Sequence, residues 1–310
     1  MDGVNIMNQI TGGKATPAFY EENRRKLVRK YEQAQRRLET ETQLLATLPR
    51  RTISYESIGR RPPVQWFNSR VYSYPLEEFL PYIDKRTLFA LNWRFGGPAG
   101  RGRFGHSDEE MEALFAQWTE KAAQHRWIQP QGVMGLFPCY SDGEEVIILD
   151  PEHPDREIAR IAFTTVIGAG NEDLVSGAQY FAPRLDGSLD TIGLQLTTAG
   201  AQVEDVIAEF KKKDDYESAL FLQGLSDRIA EDMAERLHAV ARELVGVPPN
   251  GGQRWSPGYP GMKNIMLNLN IHQALQAESL IGVQVTEAGE FRPTGTTAAA
   301  VSFHPDARYI

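Results

Sequence analysis

Between Tyr216 and Val245 the chain runs without a proline, and Leu225, Ile229, Met233, Leu237, Val240 and Leu244 recur at helical spacing along one face. That periodicity predicts one long helix and commits its apolar face to a core. Beside that face, Asp227, Glu231, Glu235 and His238 fall at i, i+4, i+8 and i+11, so they share a second stripe. Three carboxylates on one stripe repel one another by a few tenths of a kcal/mol per pair, roughly. A solvated face accommodates them, and so does a groove that receives a cationic ligand.

The segments around this helix call for a sheet. GVMGLFPCYSDGEEVIILD holds two apolar runs about Asp142-Gly143, a strong hairpin signal. EIARIAFTTVIGAG, LDTIGLQLTTAG, GVQVTEAGEF and TTAAAVSF each read as a strand, whereas AQVEDVIAEFKKK and NIHQALQAESLIG read as helices. Strands mixed irregularly with helices and joined by a hairpin predict an α+β fold around an antiparallel sheet. YPLEEFLPYID and RTLFALNW read as short helices separated at Asp84. GGPAGRGRFG follows as a loop that lacks the Gly-Lys-Ser/Thr of a phosphate-binding loop, and Ser107 to Glu110 form a capping box that opens a further helix. Gly168-Ala169-Gly170 has neither the third glycine nor the helix start of a dinucleotide fingerprint, which also argues against a doubly wound methyltransferase.

The N-terminal region differs in character. Residues 1–13 show no strong period and, ending in Gly12-Gly13, read as a flexible tail, while Pro17 to Leu45 is rich in helix formers and charges and reads as a long exposed helix with a basic half. Pro49 and Pro62-Pro63 mark a linker. The expected division is therefore 1–48 for tail and basic helix, 49–73 for linker and 74–310 for the compact domain.

Charge and cysteine content narrow the function. A formal net charge of -8 argues against nucleic-acid binding, and no apolar run approaches the roughly 18 residues of a membrane span. No secretory signal is recognisable at the N-terminus, which predicts a cytoplasmic protein. The single cysteine, Cys139, excludes an intramolecular disulfide and a thiolate zinc site, and its apolar surroundings make it a small buried hydrophobe. None of the six histidines pairs at helical ligand spacing, so no metal site is expected. One segment remains conspicuous: RWSPGYP, from Arg254 to Pro260, whose two prolines and Gly258 predict a rigid extended loop that is neither helix nor central strand. A rigid loop bearing Arg and Tyr beside an acidic stripe suits a zwitterionic or cationic small molecule.

Several segments together resemble the C-terminal AdoMet-binding activation (reactivation) domain of cobalamin-dependent methionine synthase, from about Tyr74 onward. They are YIDKRTLFALNW, GVMGLFPCYSDGEEVIILD, LSDRIAEDMAERLHAVAR, the RxxxGY element RWSPGYP, VTEAGEFRPTG and FHPDARY, in family order. KLVRKYEQAQRR is similar to the segment that leaves the family's cobalamin-binding domain, whose DxHxxG motif does not occur here. The resemblance implies a helmet-like α+β fold that binds S-adenosyl-L-methionine. It implies support for reductive methylation of cob(II)alamin to methylcobalamin, with an electron from flavodoxin or a similar flavoprotein. The cobalamin would be contacted at an interface and held by a cobalamin-binding domain in cis or in trans. The activity would thus be part of a homocysteine methyltransferase, with the isolated chain insufficient for turnover.

By the same resemblance, Arg254 holds the AdoMet carboxylate, Gly258 and Tyr259 complete the motif with Tyr259 near the corrin, and Asp84 holds the amino group. Glu231 is a carboxylate near the ligand, Tyr309 packs against it and Ile310 follows as a backbone contact. No residue is catalytic in the strict sense, although Asp227 matches the helix aspartate that meets the cobalt's displaced histidine. The chain departs from the family pattern in the short GVPPNGGQ loop before Arg254 and in Thr296-Thr297-Ala298-Ala299. A non-catalytic module of the same fold, binding a cobalamin domain or flavoprotein without AdoMet, is the alternative.

Overall fold

The computed structural model describes residues 2–13, 16–56, 63–95, 107–184 and 187–308. In chain order its elements begin with α1 Asp2–Thr11, α2 Pro17–Thr47, β1 Phe67–Ser73, α3 Lys85–Thr87, α4 Asp108–Gln124, β2 Gln131–Asp142, β3 Glu145–Leu149 and β4 Glu157–Ala162. There follow β5 Val166–Ile167, β6 Leu174–Val175, β7 Asp190–Thr198, α5 Gln202–Lys212, α6 Tyr216–Val245 and β8 Gln253–Trp255. The last are α7 Leu267–Leu275, α8 Ala277–Ile281, β9 Gln284–Val285, β10 Phe291–Arg292 and β11 Thr296–Ser302.

The chain forms two compact units. The first comprises Met1–Arg51 with Ile167–Leu174. Helix α2 buries none of its residues, as its composition predicts; Thr16 caps it by accepting from the Phe19 amide, and Lys26–Glu22 and Arg25–Glu21 pairs line it at i,i+4. The expected flexible tail is instead α1. Val4, Met7 and Ile10 recur every three residues, and the glycines that suggested flexibility end the helix, with Gly13 at φ 65°. Also within this unit, Arg51 grips Asp173 with two hydrogen bonds of 2.7 and 3.0 Å.

The second unit, Thr52–Val166 with Val175–Ile310, is built on one antiparallel sheet of order β4-β3-β2-β7-β11-β8. Strand β2 serves two partners along one edge, β1 against Gln131 to Leu136 and β3 against Cys139 to Asp142. Strand β1 therefore lies inside 49–73, the stretch expected to be linker. The Asp142-Gly143 hairpin forms as predicted, with Gly143 at φ 62°.

Alternation along the strands sends side chains into two cores. Met134, Leu136 and Val301 join Leu225, Ile229, Met233 and Leu237 of α6, whereas Val133, Phe137, Leu194, Leu196 and Ala300 join Leu267, Ile271 and Leu275 of α7. The sheet is thus covered on both faces. Beneath the first half of α6, Trp93 is fully buried and donates its indole N–H to the Phe221 carbonyl at 2.9 Å. Gly224 makes this approach possible, because a Cβ there would lie 2.7 Å from Trp93 Cδ1.

Three expectations need correction. Leu244 is 43% exposed; the helical face drifts, and Ala241 and Val245 take the last core positions. NIHQALQAESLIG is two helices, broken at Gln276 with φ 53°. The break places both Leu275 and Ala277 fully in the core, where a continuous helix would aim them about 200° apart. GVQVTEAGEF is not one strand but the β9–β10 hairpin, turned by Thr286 and by Gly289 at φ 78°. Among the described residues no helix is long and apolar enough to cross a membrane.

Candidate functional site

Helix α6 is fixed to the sheet by polar contacts as well as apolar ones. On the α6 side of β7, Thr197 Oγ1 donates to the Ala230 carbonyl at 2.9 Å and Gln195 Nε2 to the Ala234 carbonyl at 3.0 Å. The small side chains of Ala230 and Ala234 let the strand come this close. Each anchored alanine precedes a glutamate, so the anchoring aligns Glu231 and Glu235 along the helix flank.

Strand β8 delivers their partner. RWSPGYP begins as an edge strand rather than as loop throughout: Arg254 pairs in register with Val301 and Trp255 with Ala300 of β11. Its prolines then end the pairing, and the turn closes through Gly258 N–H to the Met262 carbonyl at 2.8 Å, with Gly258 at φ 91°. Arg254 turns onto α6, where Nη2 donates to Glu235 Oε1 at 2.7 Å and to Glu231 Oε2 at 3.4 Å. Its Nη1 is buried without a hydrogen-bond partner.

Two adjoining clefts share Glu231, Ser256 and Tyr259. One, of about 340 Å³, is walled by Arg254, Glu235, His238 and Arg242. The other, of about 440 Å³, is walled by Asp227, Asn268, Thr294 and the Thr296 to Ala298 segment of β11. Together they form a groove along α6. Asp227 accepts from Gln223 Nε2 at 2.7 Å, and burial, with the like charge of Glu231 behind it, pushes its carboxyl above the usual range. His238 is 3% exposed; burial first, then Arg242 and Arg254, lowers its imidazole to about 3, so it is neutral at physiological pH.

Of the residues singled out in the sequence, the groove gathers Asp227, Glu231, Arg254 and Tyr259, with Gly258 in the turn between them. Asp84 does not line it. It caps α3, accepting from Thr87 N at 3.1 Å and Thr87 Oγ1 at 2.5 Å, and those bonds hold its carboxyl below the usual range. Near it on α6 lies Asp232, which burial raises to about 6 against the pull of Arg228 at 3.4 Å. Tyr309, Ile310 and the GGPAGRGRFG loop lie outside the described residues. Arg242 went unnoticed in the sequence although it continues the stripe four residues beyond His238. Glu235 was seen only as a stripe member, yet it makes the shortest contact to Arg254.

The arrangement can hold a zwitterion: a guanidinium for a carboxylate, and carboxylates for a cationic centre. Comparison with known proteins agrees with this chemistry. Residues 75–310 match the family of the vitamin B12 dependent methionine synthase activation domain. The methionine synthases of Mycobacterium leprae and Mycobacterium tuberculosis are 22% and 23% identical over 293 and 297 residues, covering 85% of this chain and 24% of each relative. The chain therefore spans about a quarter of the length of these relatives. The crystal structure of the MetH reactivation domain bound to AdoHcy superposes with a TM-score of 0.70 at 25% identity, covering 85% of this chain and 89% of that one. It shares the mixed helical and antiparallel-sheet fold expected from the sequence, and on the match over 75–310 the chain belongs to the family of vitamin B12 dependent methionine synthase activation domains.

Proposed function

We propose that this chain binds S-adenosyl-L-methionine in the groove along α6 and serves the reductive methylation of cob(II)alamin within a methionine synthase. The observation that carries the reading is the buried, partnerless Nη1 of Arg254 beside Glu231, in the wall of adjoining clefts of about 340 and 440 Å³. The reactivation domain in the superposed structure is bound to AdoHcy, which differs from AdoMet by one methyl group.

AdoMet supplies a methyl group on a sulfonium, and the residues of this chain position it. Arg254 receives the ligand's carboxylate through its guanidinium. Glu231 places negative charge near the cationic half of the ligand. The family resemblance also gives the ammonium to Asp84 and ligand contacts to Tyr309 and Ile310; Asp84, held by Thr87 outside the groove wall, would have to exchange those bonds for the ammonium. Asp227, whose carboxyl burial pushes above its usual range, would accept or share a hydrogen bond with the imidazole that the family resemblance brings to this position. Tyr259, 54% exposed beside Gly258, would meet the corrin supplied by the cobalamin-binding domain.

The cobalamin is carried by a separate domain, in cis or in trans, and the electron comes from flavodoxin or a similar flavoprotein in the cytoplasm. Residues 1–48 then form the connection from that domain, and 74–310 the AdoMet-binding body, to whose sheet the end of the 49–73 stretch adds strand β1. The chain by itself does not methylate homocysteine.

Calorimetric titration of AdoMet into the purified chain tests the reading. Arg254→Ala is expected to cost about 1.5–3 kcal/mol of binding, the range for a charged hydrogen bond. Equal affinity in the variant would remove Arg254 from the site, and a folded wild type that binds no AdoMet would overturn the proposal.

A further inference from the structure

The proposed ligand site is already occupied by a residue of the chain itself. Arg254 makes its short contact, 2.7 Å, with Glu235, a residue the family resemblance does not place at the ligand, while Glu231 stands back at 3.4 Å. The two partners differ sharply in exposure: the Arg254 side chain is 15% exposed and that of Glu235 60%. The guanidinium is therefore part of the groove wall, and the carboxylate hangs at the rim. Moving Glu235 into water strips it of little, whereas Arg254 stripped of all partners would be a buried charge left alone.

Both carboxylates use the same nitrogen, Nη2, so the pairing is not the two-pronged fit that a guanidinium favours. The free nitrogen, Nη1, has a companion: His238 Nε2, in the wall of the same cleft, is also buried without a partner. A neutral imidazole carrying its proton on Nε2 donates one hydrogen bond and needs no partner charge. Two buried nitrogens without partners in one cleft, Arg254 Nη1 a donor and His238 Nε2 a donor in its Nε2–H tautomer, stand next to an acceptor at the rim, the donor set a carboxylate needs.

We propose that Glu235 is an internal stand-in for the ligand's carboxylate: it covers Arg254 in the empty chain and is displaced when a ligand carboxylate settles between Arg254 and His238. This rests on the AdoMet reading above and adds to it a second donor, His238, and a built-in competitor that selects for carboxylate-bearing ligands. A ligand lacking the carboxylate cannot reward the displacement and leaves Glu235 in place.

The test compares AdoMet with decarboxylated AdoMet, by calorimetry, in the wild-type chain, Glu235→Ala and His238→Leu, each verified as folded by its thermal transition. Removing a weak, exposed competitor makes AdoMet bind about two- to fivefold tighter in Glu235→Ala. The decarboxylated ligand, which is wholly cationic, binds that variant no better than the wild type and loses affinity if it feels the missing negative charge. His238→Leu weakens AdoMet and spares the decarboxylated ligand. Wild-type binding of AdoMet with no gain in Glu235→Ala would overturn the stand-in and leave the AdoMet reading intact, as would an equal gain for both ligands. Absence of AdoMet binding by the folded wild type would remove both.

Discussion

His238 shows how one side chain couples the site to stability. Buried between α6 and β8 with Arg242 and Arg254 nearby, its imidazole is held at about 3 instead of its usual 6.5. In the unfolded chain it takes up a proton below pH 6.5 that the native chain refuses until about pH 3. The contribution is thus complete above pH 6.5 and is lost as pH falls from there toward 3, on the order of 1 kcal/mol for each pH unit below 6.5. Asp232 has the opposite sign: raised from 3.8 to about 6, it favours the native state below pH 3.8 and that gain is lost as pH rises through 6. The two effects oppose each other in mild acid, so the wild-type curve alone cannot separate them. Comparing denaturant midpoints at pH 7.5 and 5.5 in wild type and His238→Leu does, because Asp232 is common to both. The wild type should lose about 1 kcal/mol more than the variant over that interval; equal losses would mean that His238 is not held neutral.

At the scale of elements, α6 is the piece on which both core and site depend, and it was also the piece most fully readable in the sequence. Its length, apolar face and acidic stripe all follow from one period of 3.6, because local spacing on a helix is spatial adjacency. The hairpin at Asp142-Gly143 was readable for a similar reason, a turn chemistry carried by neighbouring residues. What could not be read depends on distant partners. The αL residue Gln276 has no local signature and is imposed by the packing of Leu275 and Ala277; β8 is three residues long and exists only because β11 lies beside it. The Arg254–Glu235 contact inherits this, since it needs the register of β8 against Val301 as well as the rotation of α6.

That rotation is set by Thr197 and Gln195, whose bonds to the Ala230 and Ala234 carbonyls are between elements and invisible to a periodicity argument. Thr197→Val keeps the shape and deletes one bond. The expected cost is about 1 kcal/mol in unfolding free energy, together with weaker AdoMet binding, since Glu231 directly follows the released carbonyl. A stability loss without any change in AdoMet affinity would show that apolar packing alone orients the helix.

For the whole molecule, the two compact units carry different burdens. Every groove residue named above belongs to the second, while α2 in the first buries none of its own residues and therefore adds no core. Apolar burial drives folding, so the cooperative transition should belong to the second unit. The chain covers about a quarter of the length of its methionine synthase relatives. Deleting residues 1–48 should therefore leave AdoMet affinity within about twofold, a free-energy change smaller than about 0.4 kcal/mol. The same deletion keeps Arg51 and its grip on Asp173. A ligand that binds only the native state adds about 2.7 kcal/mol at a hundredfold excess over its dissociation constant, whatever else the chain carries. Saturating AdoMet should consequently raise the thermal midpoint of the full and shortened chains by the same amount. A shortened chain that folds but no longer gains from AdoMet would place the N-terminal helix in the ligand site, and the division of labour between the two units would have to be abandoned.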